Sequence, residues 1–331
     1  MLTAGRGSGA QDRRRRAGGL RPARLMLGAL CLAALAACDL GPPGPKPHAR
    51  PPGLDTSTIP APPSEKSAAL ARHYSRVQAH LLAQGLLRTG GGGVDTPYDA
   101  DDVARNFERI AFYDEYERGG GLRAADGKPD VLRKWVSPVR VELEFGNSVS
   151  PEIRAQDGPA VEGYVARLGR VTGHPIAMSG NAPNFHVFIT SEDDRAETVA
   201  RVRSIVPDIG AATLALVRDP PRSIYCLVLT FEDRDRPSTY NRAIALIRSE
   251  QPELMRRSCI HEELAQGRGL GNDSATARPP IFNDDEEFAL LTTQDEALLR
   301  LLYHPNLRPG MSLGQARPLI RRILAGDPGQ I

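Results

Sequence analysis

Histidine is scarce in this chain, seven in 331 residues, and no pair of histidines sits at the one-turn helical spacing that a zinc-binding helix needs. Strong basic charge is also absent. The formal net charge is +2, but residues 1–38 hold seven arginines and one aspartate, so the remainder carries 35 basic and 39 acidic side chains, a formal charge of −4. With no interleaving of aromatic and basic residues either, nucleic-acid binding is excluded. Gly90 to Gly93 lacks the lysine and following hydroxyl of a phosphate loop. Ser258 and Ser274 have no triad around them, and no internal repeat is present. Cysteine is limited to Cys31, Cys38, Cys226 and Cys259.

What the chain does contain is an export signal. Arg13 to Arg16, Arg21 and Arg24 form a basic region, Leu25 to Ala37 an apolar run too short for a stable anchor, and Leu35-Ala36-Ala37-Cys38 has the form of a bacterial lipobox. Residues 1–38 are therefore expected to be a lipoprotein signal peptide, with Cys38 as the lipidated N-terminus. The expected location is the bacterial cell envelope, facing the periplasm from the inner or the outer membrane, with the lipid as membrane partner. Cys31 leaves with the leader and Cys38 is acylated, so Cys226 and Cys259 remain alone in an oxidising compartment and are expected to pair as a disulfide.

Four segments follow from composition and periodicity. Residues 39–63 are a proline-rich tether and 64–128 a helical N-terminal region, with helices expected over 64–88 and 99–117. Residues 129–331 form the main domain, α/β in class. Val139, Val141, Leu143 and Phe145 alternate as a strand does; strands are also expected over 185–190 and 223–231. Helices are expected over 159–172, 196–206, 240–249 and 255–266. Arg133, Lys134 and Arg140 read as a solvated face. His174 lies in a turn and His186 in a strand, either within reach of the last of these helices.

That last helix carries the chemistry. From Glu262 the residues run E-E-x-x-Q-x-x-G-x-x-N-D, and this spacing resembles the metzincin zinc motif H-E-x-x-H-x-x-G-x-x-H, often followed by Asp. Ligands at i and i+4 share one helix face, a glycine turns the chain, and a third ligand returns to the metal. Here Glu262, Gln266 and Asn272 hold the ligand places, Glu263 that of the general base, Gly269 the turn, and Asp273 follows. Carboxylate and amide oxygens suit harder ions better than zinc. His261 opens a second register whose partner place is Ala265, which ligates nothing.

Around this motif the chain resembles the bacterial family known only as domain of unknown function 2927. The likeness runs from Asn106-Phe107-Glu108-Arg109-Ile110 through Trp135, the motif itself, Ile281-Phe282-Asn283-Asp284-Asp285, and Leu291-Thr292 to Asp295, Leu302-Tyr303 and Pro309-Gly310-Met311. The end of the chain also resembles the close of a metzincin catalytic domain. Ile281-Phe282 stands at the methionine turn with Phe282 in place of methionine, and a helix beginning Leu291-Thr292-Thr293-Gln294-Asp295 follows. These resemblances imply a metzincin-like mixed sheet with a long motif helix, preceded by N-terminal helices.

Three functions are compatible with these residues. One is a pseudoenzyme, a degenerate metallopeptidase-like domain kept as a binding or scaffold module for an envelope protein or peptide, with no cofactor. Another is a metal-dependent hydrolase using Glu263 as general base and a divalent metal on Glu262, Gln266, Asn272 or Asp273. The third is a structural calcium site drawing on Asn272, Asp273, Asn283, Asp284 and Asp285.

Overall fold

In a computed structural model the described residues are 2–6, 62–91, 93–117, 119–283 and 285–326. Cys38 and nearly all of the expected tether lie outside them. Among the described residues, no helix is long and apolar enough to cross a membrane.

Helix α1 (Glu65–Ala83) starts where the Ser64 hydroxyl accepts from Ser67 N, and it buries Tyr74 and Leu81. Helix α2 (Ala100–Ala111) starts at a reciprocal capping box between Asp99 and Asp102 and buries Val103, Phe107 and Ile110. It stops six residues short of its expected end. Strand β1 is Leu2–Arg6, and a two-residue β2 (Lys134–Trp135) leads into β3 (Val139–Phe145). Helix α3 (Pro151–Thr172) begins eight residues before Pro159, because Ser150 caps it and Pro151 fits its first turn; Pro159 is tolerated in its interior. Next come β4 (Ile176–Met178), β5 (Phe185–Thr190), α4 (Arg195–Ile205), α5 (Ala211–Arg218) and β6 (Ile224–Glu232).

Residues 240–249, expected to be helical, instead form β7 (Thr239–Arg248). Its apolar run is enclosed on both faces, and such a run carries no period that separates a strand from a buried helix. Helix α6 (Glu253–Gln266) is the motif helix, followed by α7 (Thr293–Leu302) and α8 (Leu313–Leu324).

The strand order is β1-β6-β7-β5-β3-β4, with β2 beside β7. Pairings β3/β4, β3/β5, β5/β7 and β2/β7 are parallel, while β6/β7 and β1/β6 are antiparallel. The fold is thus mixed α/β, the class expected from the sequence, and its sheet is mostly parallel. Along β5 the side chains alternate between two cores. Phe185, Val187 and Ile189 pack with α3, α6 and α7 on one face. Phe188 packs with Val202, Ile205, Leu216 and Val217 of α4 and α5 on the other. Tyr74 of α1 and Phe107 of α2 belong to the first core, so the N-terminal helices share it with the main sheet.

Arg133 and Lys134 are not on a solvated face: they are 6 % and 7 % exposed. Arg133 is held by Glu232 at 2.7 Å and Asp130 at 2.8 Å, and Lys134 Nζ donates to Leu302 O at 2.8 Å. Burying an ammonium with one carbonyl partner disfavours its charge, and desolvation brings Lys134 down to about 8.

Candidate functional site

One covalent and one polar tie fix α6, the first against the sheet and the second against α3. Cys226 of β6 and Cys259 of α6 are joined in a disulfide with Cα atoms 5.8 Å apart, the pairing expected from the cysteine count. One turn earlier on the helix Arg256 reaches Asp157 of α3, Nε to Oδ2 at 2.7 Å and Nη2 to Oδ1 at 3.2 Å.

After α6 the chain turns through Gly267-Arg268-Gly269. Trp135 Nε1 donates to Gly267 O at 2.8 Å. Gly269 has φ +126°, and a Cβ there would meet Arg133 O at 2.4 Å, so the turn expected at this glycine excludes side chains on both steric and conformational grounds. Arg268 is fully buried with its guanidinium 4.4 Å from the Tyr303 ring centroid, and its Nη2 lies 3.1 Å from His174 Nδ1. His174 therefore does approach the end of the motif helix. His186 does not: it lies on the other face of the sheet, against Glu144.

The motif residues separate into three places. Carboxylate oxygens of Glu262 and Glu263 lie within 4.8 Å of each other and of Cys226 Sγ, but that sulfur is committed to the disulfide and offers no thiolate. Gln266, 1 % exposed, donates from Nε2 to Asp273 Oδ1 at 2.8 Å. Asn272 turns to α2, where its Nδ2 donates to Arg109 O at 2.9 Å and its backbone N to Ile110 O at 3.1 Å. A three-ligand zinc centre needs nitrogen or sulfur donors converging on one point. The donor set here is oxygen and amide, and its members point to different partners, so it does not fit zinc. Glu263 is completely buried, whereas a general base must meet a water.

His261 has a structural task that its place in the sequence did not reveal. Its ring stacks on Tyr164, centroids 4.0 Å apart, and Nδ1 accepts from Leu291 N at 2.9 Å. Tyr164 Oη in turn donates to His261 O at 2.7 Å. Desolvation, with Arg167 and Arg257 adding repulsion, lowers its pKa to about 3, so the imidazole stays neutral and keeps accepting.

The turn at Ile281-Phe282 is tied to α7. Asp295 accepts from Ile281 N at 3.2 Å, Thr292 N at 2.7 Å and Thr292 Oγ1 at 2.8 Å. Its burial raises the carboxyl to about 7 against the lowering effect of those donors. Phe282 is fully buried. In the oxygen-rich loop Asn283 is used locally, donating to Ala277 O at 2.6 Å and accepting from Asp285 N at 3.1 Å; Asp284 lies outside the described residues.

The edge of the sheet beside α6 was not visible to sequence reasoning. Along β6 the strand Leu2–Arg6 pairs antiparallel, Leu2 with Leu229, Thr3 with Val228, Ala4 with Leu227, Gly5 with Cys226 and Arg6 with Ile224. An open edge strand presents a row of backbone donors and acceptors to any extended segment. Here that row lies next to the disulfide and α6.

The family of proteins of unknown function DUF2927 matches residues 100–322, about two thirds of the chain, from the start of α2 nearly to the end of α8. The chain belongs to this family. No curated protein and no solved structure matches it.

Proposed function

We propose that this DUF2927 member is an envelope lipoprotein whose domain acts as a binding module, taking an extended peptide segment along the β6 edge beside α6. The observation that carries this reading is the antiparallel pairing of Leu2–Arg6 with β6. Those five residues belong to the segment read as a leader, so processing at Cys38 would vacate the edge for a segment of another chain. Main-chain hydrogen bonds supply affinity in this mode and alternate side chains supply selectivity. The dispersal of Gln266, Asn272 and Asp273 onto other partners, together with the burial of Glu263, supports binding without hydrolysis.

The test uses the chain beginning at Asp39, which retains every described core residue, since these run from Tyr74 to Ile320. It is incubated with a library of extended peptides, and both retained and released peptides are weighed by mass spectrometry. Retention of intact peptides, unchanged in Glu263→Gln, is the expected result. Cleaved products that disappear in Glu263→Gln would establish the hydrolase alternative instead.

A further inference from the structure

The sheet face turned away from α6 carries a second set of ligand-type side chains. Glu142 and Glu144 are two residues apart on β3 and so project from one face, and Glu142 stands opposite His186 of β5 in the parallel register. His186 Nδ1 lies 3.0 Å from Glu144 Oε1 and 3.3 Å from Glu142 Oε2, and one ligand atom from each residue falls within a 4.8 Å group. The imidazole is 4 % exposed and stacks near Phe188, whereas both glutamates are half-buried.

Two comparisons distinguish this from a solvated acidic patch. The first is donor chemistry: an imidazole beside two carboxylates is a mixed nitrogen and oxygen set that suits first-row transition ions, not calcium or magnesium. The second is spacing. Bonds of about 2.0–2.2 Å to a tetrahedral ion set neighbouring ligand atoms roughly 3.4 Å apart, so the His186 to carboxylate separations need to open by only a few tenths of an ångström.

Arg201 of α4 closes the outward side. Its Nε donates to Glu144 Oε2 at 2.7 Å, and its Nη2 lies 3.3 Å from Glu142 Oε2 and from Glu144 Oε1. Its side chain is 44 % exposed, so it can swing into solvent.

We propose that Glu142, Glu144 and His186 form a site for one divalent first-row transition ion such as zinc, with Arg201 competing for the carboxylates when no ion is bound. The site is separate from the motif residues on α6 and does not depend on the peptide-binding reading.

The experiment is calorimetric titration of the metal-free full chain with zinc chloride, paired with cobalt(II) visible absorption to report the coordination. One equivalent is expected, bound at least roughly tenfold more weakly in His186→Gln and in Glu142→Gln/Glu144→Gln, and more tightly in Arg201→Ala. The two glutamates are half-buried, so their variants keep the test decisive if His186→Gln does not fold. Absence of uptake, uptake indifferent to the glutamate substitutions, weaker binding in Arg201→Ala, or loss in Glu262→Ala/Gln266→Ala with retention in the glutamate variants would each overturn the proposal.

Discussion

Removing the Asp157 carboxylate is the sharpest perturbation of the site's scaffold. Arg256 is 3 % exposed and Asp157 fully buried, and their bidentate contact joins α3 to the first turn of α6. The guanidinium has two further acceptors, Gln251 O at 2.6 Å and Gln156 Oε1 at 3.3 Å, but no second carboxylate among the described residues. Asp157→Ala thus strands a buried cation, and breaking such a pair costs about 3–5 kcal/mol. Against a typical total of ~5–15 kcal/mol this is a large fraction. Replacing both partners, as in Asp157→Leu/Arg256→Met, removes the charges together and should return stability to within ~1–2 kcal/mol of the parent or above it. The assay is urea unfolding followed by fluorescence of Trp135, the sole tryptophan, which is buried and bonded to the turn after α6. A cost below ~1 kcal/mol for Asp157→Ala, or a double variant as unstable as the single, would refute the reasoning.

Other expectations follow from the same contacts. Replacing Cys226 and Cys259 by alanine removes a crosslink over a separation of 33 residues, for a loss of about 3–4 kcal/mol in the chain-entropy account, measured by denaturation under oxidising conditions. His261 is lowered from 6.5 to about 3 and His174 to about 4, so both are neutral in the fold and charged in the unfolded chain at mild acidity. Their contribution is full above pH 6.5, declines as pH falls below that value, and is lost once pH has passed 4 for His174 and 3 for His261, with a weight on the order of 1.4 kcal/mol per pKa unit. His261→Gln should flatten that decline in a pH series of unfolding curves. Asp295 works in the opposite sense: raised from 3.8 to about 7, it favours the fold at low pH and loses that contribution as pH rises through 7. Asp295→Asn should therefore steepen the rise of stability with pH, and an unaltered slope would argue against its burial.

Much of the fold was legible because short runs rich in β-branched and aromatic residues, bounded by turn residues, mark its strands. Val139 to Phe145 and Phe185 to Thr190 are found at their expected bounds. Residues 240–249 were not legible, since the run from Ala243 to Ile247, with its two alanines, suits a buried helix as well as a central strand flanked by β5 and β6. Helix α8 is marked in the sequence at its start, by the capping box of Ser312 and Gln315. For α3 the Ser150-Pro151 pair, not Pro159, held the boundary information. At the site, the cysteine pairing and the Gly269 turn follow from counting and spacing. The partners of Asn272 and Lys134, and one of the two carboxylates beside Arg133, do not, because they come from distant segments: Arg109, Leu302 and Glu232. Long-range pairing of polar side chains leaves no local period, and so a charged run such as Arg133-Lys134 looks solvated until the chain is folded.

Hydrogen exchange along β6 tests the central claim most directly. In the full chain the amides of residues 224–229 should be protected by pairing with Leu2–Arg6. In the chain beginning at Asp39 the outward-facing amides of that stretch should exchange faster, and a synthetic peptide of residues 1–8 should restore their protection. Equal exchange in the two chains, or an edge that no added peptide protects, would contradict a binding module built on β6.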